Sequence, residues 1–175
     1  MLVPELVASY DWDSYRGVIF IDPFHANLSR TILEKVASTH ALDVWFLFPL
    51  FAIGRMLVVE GDRISEPWIR KLDNFFGTHE WYGNLYSEQV QQPSLFDCNQ
   101  MGPTRDRGYE ELLGFTEEWL KGIFGRSNVL RPLVLRSSNN SPLFALFAAI
   151  SSNSKSAIEL WRRIAKYILD RAEQS

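Results

Sequence analysis

Two short apolar runs, each stopped by a proline, set the pattern of the N-terminal third. Gly17-Val-Ile-Phe-Ile21 has no polar position and ends at Asp22-Pro23; Val44-Trp-Phe-Leu-Phe48 ends at Pro49. A run that is apolar at odd and even positions alike predicts a strand covered on both faces, the kind found in parallel sheets. Proline stops such a strand because it has no N–H to give to a ladder. Between the runs, Ile32, Leu33, Val36 and Ala37 recur at helical spacing, so residues Arg30–Ser38 predict a helix, capped by Asn27 or Ser29. His40-Ala-Leu-Asp43 closes it. Strand, helix, strand at this spacing is a βαβ unit, which implies parallel strands and a right-handed crossover.

Residues 50 to 125 carry helical rather than alternating periodicity. Trp68, Ile69, Leu72, Phe75 and Phe76 mark a helix over 66–76 ended by Gly77, residues 81–86 suit a short one, and Leu112, Leu113, Phe115, Trp119, Leu120 and Ile123 mark another over 109–124, with Gly125 as its C-cap. Gln91–Gly108 collects Pro, Gly, Asn, Ser and Gln and predicts a surface loop. Residues 129–137 and 143–150 then read as two strands around the turn residues Ser138-Asn-Asn-Ser-Pro142, an antiparallel hairpin. The last helix, 156–172, is expected to bury Ile158, Trp161, Ile164, Ala165, Ile168 and Leu169. Residues 1–15 show little periodicity and predict a loop or fraying arm.

Composition narrows the class without naming a chemistry. An apolar fraction of 46% with six Trp in 175 residues is ample for one packed domain and argues against disorder. The net charge of −3 gives nucleic acid no overall electrostatic footprint. The lone Cys98 excludes an intrachain disulfide and any cysteine-cluster zinc site and reads as a reduced thiol. No leader pattern opens the chain, and the apolar stretch Val44–Met56 is too short for a bilayer and interrupted by Arg55, so a cytoplasmic, soluble protein with no membrane role is expected.

Candidate chemistry gathers at the ends of the two parallel strands, where ligands bind in open α/β sheets. Asp22-Pro23-Phe24 resembles the D-P-P-Y/F motif of amino methyltransferases, in which a carboxylate and a backbone carbonyl accept hydrogen bonds from an exocyclic amine while the aromatic ring stacks on the base. Here the second proline is absent and His25 follows. Asp22, Pro23, Phe24 and His25 are the candidate catalytic positions; Phe48, Pro49 and Arg55, at the end of the next strand, are the candidate substrate-binding positions, with Arg55 suited to a phosphate or carboxylate. His40 and His79 are less promising, and no histidine pair has metal-ligand spacing. The aromatic residues between 68 and 86 would suit base stacking, but their helical spacing favours core packing. Arg105-Asp-Arg107 and the pair Arg162-Arg163 read as solvated charge.

Across roughly residues 15 to 170 the chain resembles the three-Cys-motif partner proteins, a bacterial methyltransferase-like family. The residues that carry the resemblance are Gly17-Val-Ile-Phe-Ile-Asp-Pro-Phe24, Ala41-Leu-Asp-Val-Trp-Phe-Leu-Phe-Pro-Leu50, Arg55-Met-Leu57, Phe75-Phe-Gly-Thr-His-Glu-Trp81, Ser141-Pro-Leu-Phe-Ala-Leu146 and Ala157-Ile-Glu-Leu-Trp161. The resemblance implies an α/β fold: a partial Rossmann-like methyltransferase sheet, two parallel strands plus a C-terminal antiparallel hairpin, with a helical insertion over about 50–125. It implies S-adenosylmethionine as cofactor of the complete fold. The glycine-rich turn that would hold that cofactor is not among these residues, because the first strand already carries the Asp-Pro motif of the fold's fourth. The chain is therefore expected to be a fragment, a product of a misplaced start or a truncated protein, binding no cofactor alone. Two alternatives are a non-catalytic binding module acting with a partner chain and a small α/β enzyme using Asp22 and His25. With its usual neighbour strand missing, the edge of 17–21 is expected either to form a homodimer or to be covered by residues 1–15.

Overall fold

A computed structural model describes residues 3–23, 28–86, 103–104 and 108–173. The expectations for Phe24, His25, Asn27, Cys98, Arg105-Asp-Arg107 and most of the 91–108 loop lie outside the described residues.

The chain is mixed α/β. Its elements run α1 (Val3–Ser9), β1 (Gly17–Ile21), α2 (Arg30–Ala37), β2 (Leu42–Phe48), α3 (Leu50–Met56), α4 (Glu66–Phe76), α5 (Glu80–Leu85), α6 (Glu110–Phe124), β3 (Leu133–Arg136), β4 (Pro142–Ile150) and α7 (Lys155–Glu173). The four strands lie in the order β1-β2-β4-β3. β1 and β2 are parallel, from Gly17↔Leu42 to Ile21↔Phe46, and α2 connects them as the βαβ pattern predicts. β4 runs antiparallel to β2 on one side and to β3 on the other, so the last strand of the chain lies inside the sheet.

One face of the sheet builds the main core. Ile19 and Ile21 of β1, Val44, Phe46 and Phe48 of β2, and Ala145, Phe147 and Ala149 of β4 pack against Leu33 and Val36 of α2, Leu72, Phe75 and Phe76 of α4, and Leu112 and Trp119 of α6. Phe46, Phe48, Phe75, Phe76, Trp119 and Phe147 form a continuous aromatic cluster with ring centroids 5.1–6.5 Å apart, mostly edge-on or tilted as ring quadrupoles favour. The Trp119 indole N–H donates to the Phe76 carbonyl at 3.0 Å, which satisfies the one polar atom of a buried ring. α4 ends at Gly77, whose φ of 75° is left-handed; a Cβ there would stand 2.6 Å from the Arg30 side chain, so glycine serves both the turn and the close approach of α2. On the other face α7 packs chiefly over β4 and β3, through Trp161, Ala165 and Leu169 against Leu133, Ala148 and Ile150, with Trp45 of β2 partly buried beside them. The buried Asn128 fastens this end, its side-chain amide donating to the Ile150 and Ser152 carbonyls at 3.0 and 3.1 Å.

Five expectations change. β1 is not covered on both faces: Val18 and Phe20 are 68% and 60% exposed, because no described helix reaches the outer face at this edge. β2 alternates between buried and half-buried positions for the same reason. Ile164 and Ile168 of α7 are exposed, since the helix rests on the sheet along the Trp161 flank. Residues 3–9 form a helix rather than a loop: Val3, Leu6, Val7 and Trp12 pack against the core beside α2, and the Trp12 indole donates to the Val7 carbonyl. The hairpin is shorter than expected, with β3 starting at Leu133 and Val129 reduced to a single bridge to Ala149. No helix among the described residues is long and apolar enough to cross a membrane.

Candidate functional site

Parallel pairing fixes which end of the sheet the candidate residues share. Because Ile21 lies opposite Phe46, Asp22 leaves the sheet beside the last residues of β2, and Pro49 follows two residues after Leu47. Both proline-stopped strands therefore deliver their C-terminal ends to one rim. Strand alternation sets what each residue offers there. Asp22 shares its parity with the exposed Val18 and Phe20 and is itself exposed. Its carboxylate holds no hydrogen bond or ion pair among the described residues. Pro23 turns inward and is buried.

Phe48 shares its parity with Val44 and Phe46. Its ring is fully buried, 5.9 Å from Phe75 and 6.2 Å from Phe147, so at this rim it is a core residue. Pro49 is buried too; it stands at the start of α3, with its carbonyl accepting from the Ile53 N–H at 2.9 Å. α3 follows β2 after this single residue and carries Arg55 outward, where the guanidinium carbon lies 5.7 Å from the centroid of the Phe51 ring. Phe51 is 41% exposed. At this end of the parallel pair the Asp22 carboxylate has no partner among the described residues, and α3, which follows β2, carries a cation over an aromatic face. A carboxylate of this kind accepts hydrogen bonds from an amine; an exposed ring carrying a guanidinium suits a planar or anionic group. Sequence reading missed Phe51, although its spacing of four from Arg55 on a helix was the available signal.

Comparison with known proteins adds no relative: no family model, no curated protein and no solved structure matches the chain.

A second concave feature lies at the opposite end of the parallel pair. A cavity of about 300 Å³ opens between the start of β1, the start of β2 and α7, with Leu160, Trp161 and Ile164 as its apolar wall and Arg16, His40 and Asp43 as its polar groups. His40, held at a positive φ of 51° in the turn before β2, places Nδ1 3.1 Å from the Ser151 carbonyl oxygen. Asp43 is half-buried without a hydrogen-bonded or charged partner among the described residues, and burial alone pushes its carboxyl up from the ordinary value of 3.8. The sequence reading placed Asp43 before the strand rather than in it and so gave it no role. The aromatic residues between 68 and 86 are chiefly core: Phe75, Phe76, Trp81 and Tyr86 are buried, and the carboxylate of Asp73 accepts from the Trp81 indole at 2.7 Å while lying 2.8 Å from His79 Nδ1. Among the described residues no group of three or more His, Cys, Asp or Glu could hold a metal ion.

Proposed function

We propose that this chain is one half of a methyltransferase-like α/β domain, that it recognises an amino group at the rim headed by Asp22, and that it has no methyl-transfer activity by itself. The observation that carries the reading is the place of β4: an antiparallel final strand inserted between β2 and β3 is the arrangement expected at the C-terminal side of a Rossmann-like methyltransferase sheet. The exposed carboxylate at the end of β1, unpartnered among the described residues, supports the substrate side of it, because a strand-end Asp-Pro is where such a fold accepts an exocyclic NH₂. In this reading Asp22 withdraws amine hydrogens into hydrogen bonds and leaves the nitrogen lone pair free, Pro23 ends the strand, and Arg55 over Phe51 supplies a second contact. S-adenosylmethionine is the cofactor of the complete fold, and the groups that would bind it belong to strands and a glycine-rich turn that these residues do not include.

The test separates the two claims. Calorimetry of the chain with S-adenosylmethionine should show no heat attributable to binding, and a micromolar dissociation constant overturns the half-domain reading. Titration with adenosine, which carries an exocyclic amine, should shift amide resonances at Asp22 and at Phe51–Arg55, and Asp22→Asn should abolish those shifts. Shifts elsewhere, or shifts unaffected by the substitution, overturn the role of Asp22.

A further inference from the structure

Strand β1 is an edge with a defined and self-complementary face. The Gly17 N–H donates inward to the Ala41 carbonyl at 3.1 Å, which sets the parity of the ladder: Gly17, Ile19 and Ile21 turn their backbone groups toward β2. The N–H and C=O of Val18 and Phe20 therefore point away from the sheet, and no described residue partners them. These are also the two most exposed large apolar residues of the sheet, at 68% and 60%. α1 does not close the gap, because its apolar side packs beside α2. An open edge joined to an apolar surface is a template for another strand.

We infer that β1 pairs with β1 of a second copy of this chain, antiparallel and centred on Ile19, to give one sheet running through both subunits. The register follows from the charges that flank the strand. Arg16 and Asp22 stand one residue beyond its two ends, both exposed, and continued alternation puts them on the face of Val18 and Phe20; the Arg16 guanidinium, which donates to the Trp12 and Tyr15 carbonyls, is at the surface. Only with Ile19 opposite the partner's Ile19 does Arg16 stand against the partner's Asp22, and Asp22 against the partner's Arg16. The same register sets Val18 against the partner's Phe20 as a hydrogen-bonded pair, in which the two residues exchange both N–H···O bonds. All the outward-pointing backbone groups of both edges are then satisfied, and the valine and phenylalanine side chains meet across the junction. A twofold axis makes each contact twice, the arrangement an isologous dimer requires. The inference rests on the edge of β1 as this chain presents it; in the dimer Asp22 faces the partner's Arg16, so pairing and amine recognition at Asp22 compete for one carboxylate.

Sedimentation at about 50 µM should give a dimer, and either Arg16→Asp or Asp22→Arg should weaken association by roughly tenfold, because each sets like charges together at two symmetric places. The double variant, Arg16→Asp with Asp22→Arg, should restore wild-type association. In a Cys98→Ser background, Ile19→Cys should form a covalent dimer under mild oxidation, since the two Cα atoms of a non-hydrogen-bonded antiparallel pair stand about 4.5 Å apart. Hydrogen exchange supplies a readout that a misfolded variant cannot mimic: the Val18 and Phe20 amides of the wild-type chain should become protected as concentration rises. A monomer at every concentration overturns the inference. So does a dimer in which those two amides exchange fast, protection that is independent of concentration, or a double variant that stays as weak as the single ones.

Discussion

Asp43 is held half out of water at the mouth of an apolar-walled cavity, with no hydrogen-bonded or ion-paired partner among the described residues to offset the loss of hydration. Its carboxyl is raised, so between the ordinary 3.8 and the folded value the native state binds more protons than the unfolded one. Stability therefore falls as pH rises through that window, and the cost persists at neutral pH. Half-exposure screens the penalty, so Asp43→Asn should stabilise the protein at pH 7 by only about 0.3–0.5 kcal/mol, about 1–2 °C in Tm. Thermal melts of the two proteins should converge near pH 3, where Asp43 is protonated in both states; a gap of equal size at both pH values would show that packing, not charge, separates them. At this scale the sequence was half legible. The outward parity of Asp22 and the inward parity of Phe48 both follow from alternation along their strands, so Phe48 could have been assigned to the core in advance. Asp43 could not, because its character depends on α7 arriving beside it from more than a hundred residues away.

Among the helices, periodicity located α2, α4, α6 and α7 to within about two residues, the usual uncertainty of an end. The failure in α7 has a definite cause. Leu160, Trp161, Ile164, Ala165, Ile168 and Leu169 form a stripe wide enough to cover two surfaces, and the helix meets the sheet along only one flank of it. Trp161, 6% exposed, takes the buried flank, and Ile164, 52% exposed, does not. Trp161→Ala should therefore cost about 3–5 kcal/mol in chemical denaturation, and Ile164→Gln should stay within about 0.5 kcal/mol of wild type. A costly Ile164→Gln, measured where the chain is monomeric, would mean that this flank is covered after all. α1 escaped notice because two turns with three apolar positions give too little periodicity to separate from a loop; its packing beside α2 is what holds it.

For the molecule as a whole, the strand-helix-strand start and the closing hairpin were legible because both are local. The insertion of β4 between β2 and β3 was not, since a hairpin leaves open which of its strands meets the rest of the sheet. That placement has a kinetic consequence. β2 and β3 never touch as neighbours, and both remain bare edges until a strand about a hundred residues after β2 threads between them. Closing so long a loop is the slow step that non-local topology imposes, and until it happens two apolar strands are open to intermolecular pairing. Val44→Ala, in β2 opposite Ala149, should then slow refolding by most of its equilibrium effect, whereas Leu169→Ala in α7 should chiefly speed unfolding. Stopped-flow chevrons of the two variants measure this directly, and the opposite partition would place α7, not the central strand, in the folding nucleus. Refolding yield should likewise fall with concentration in the seconds before β4 docks, and be indifferent to it afterwards.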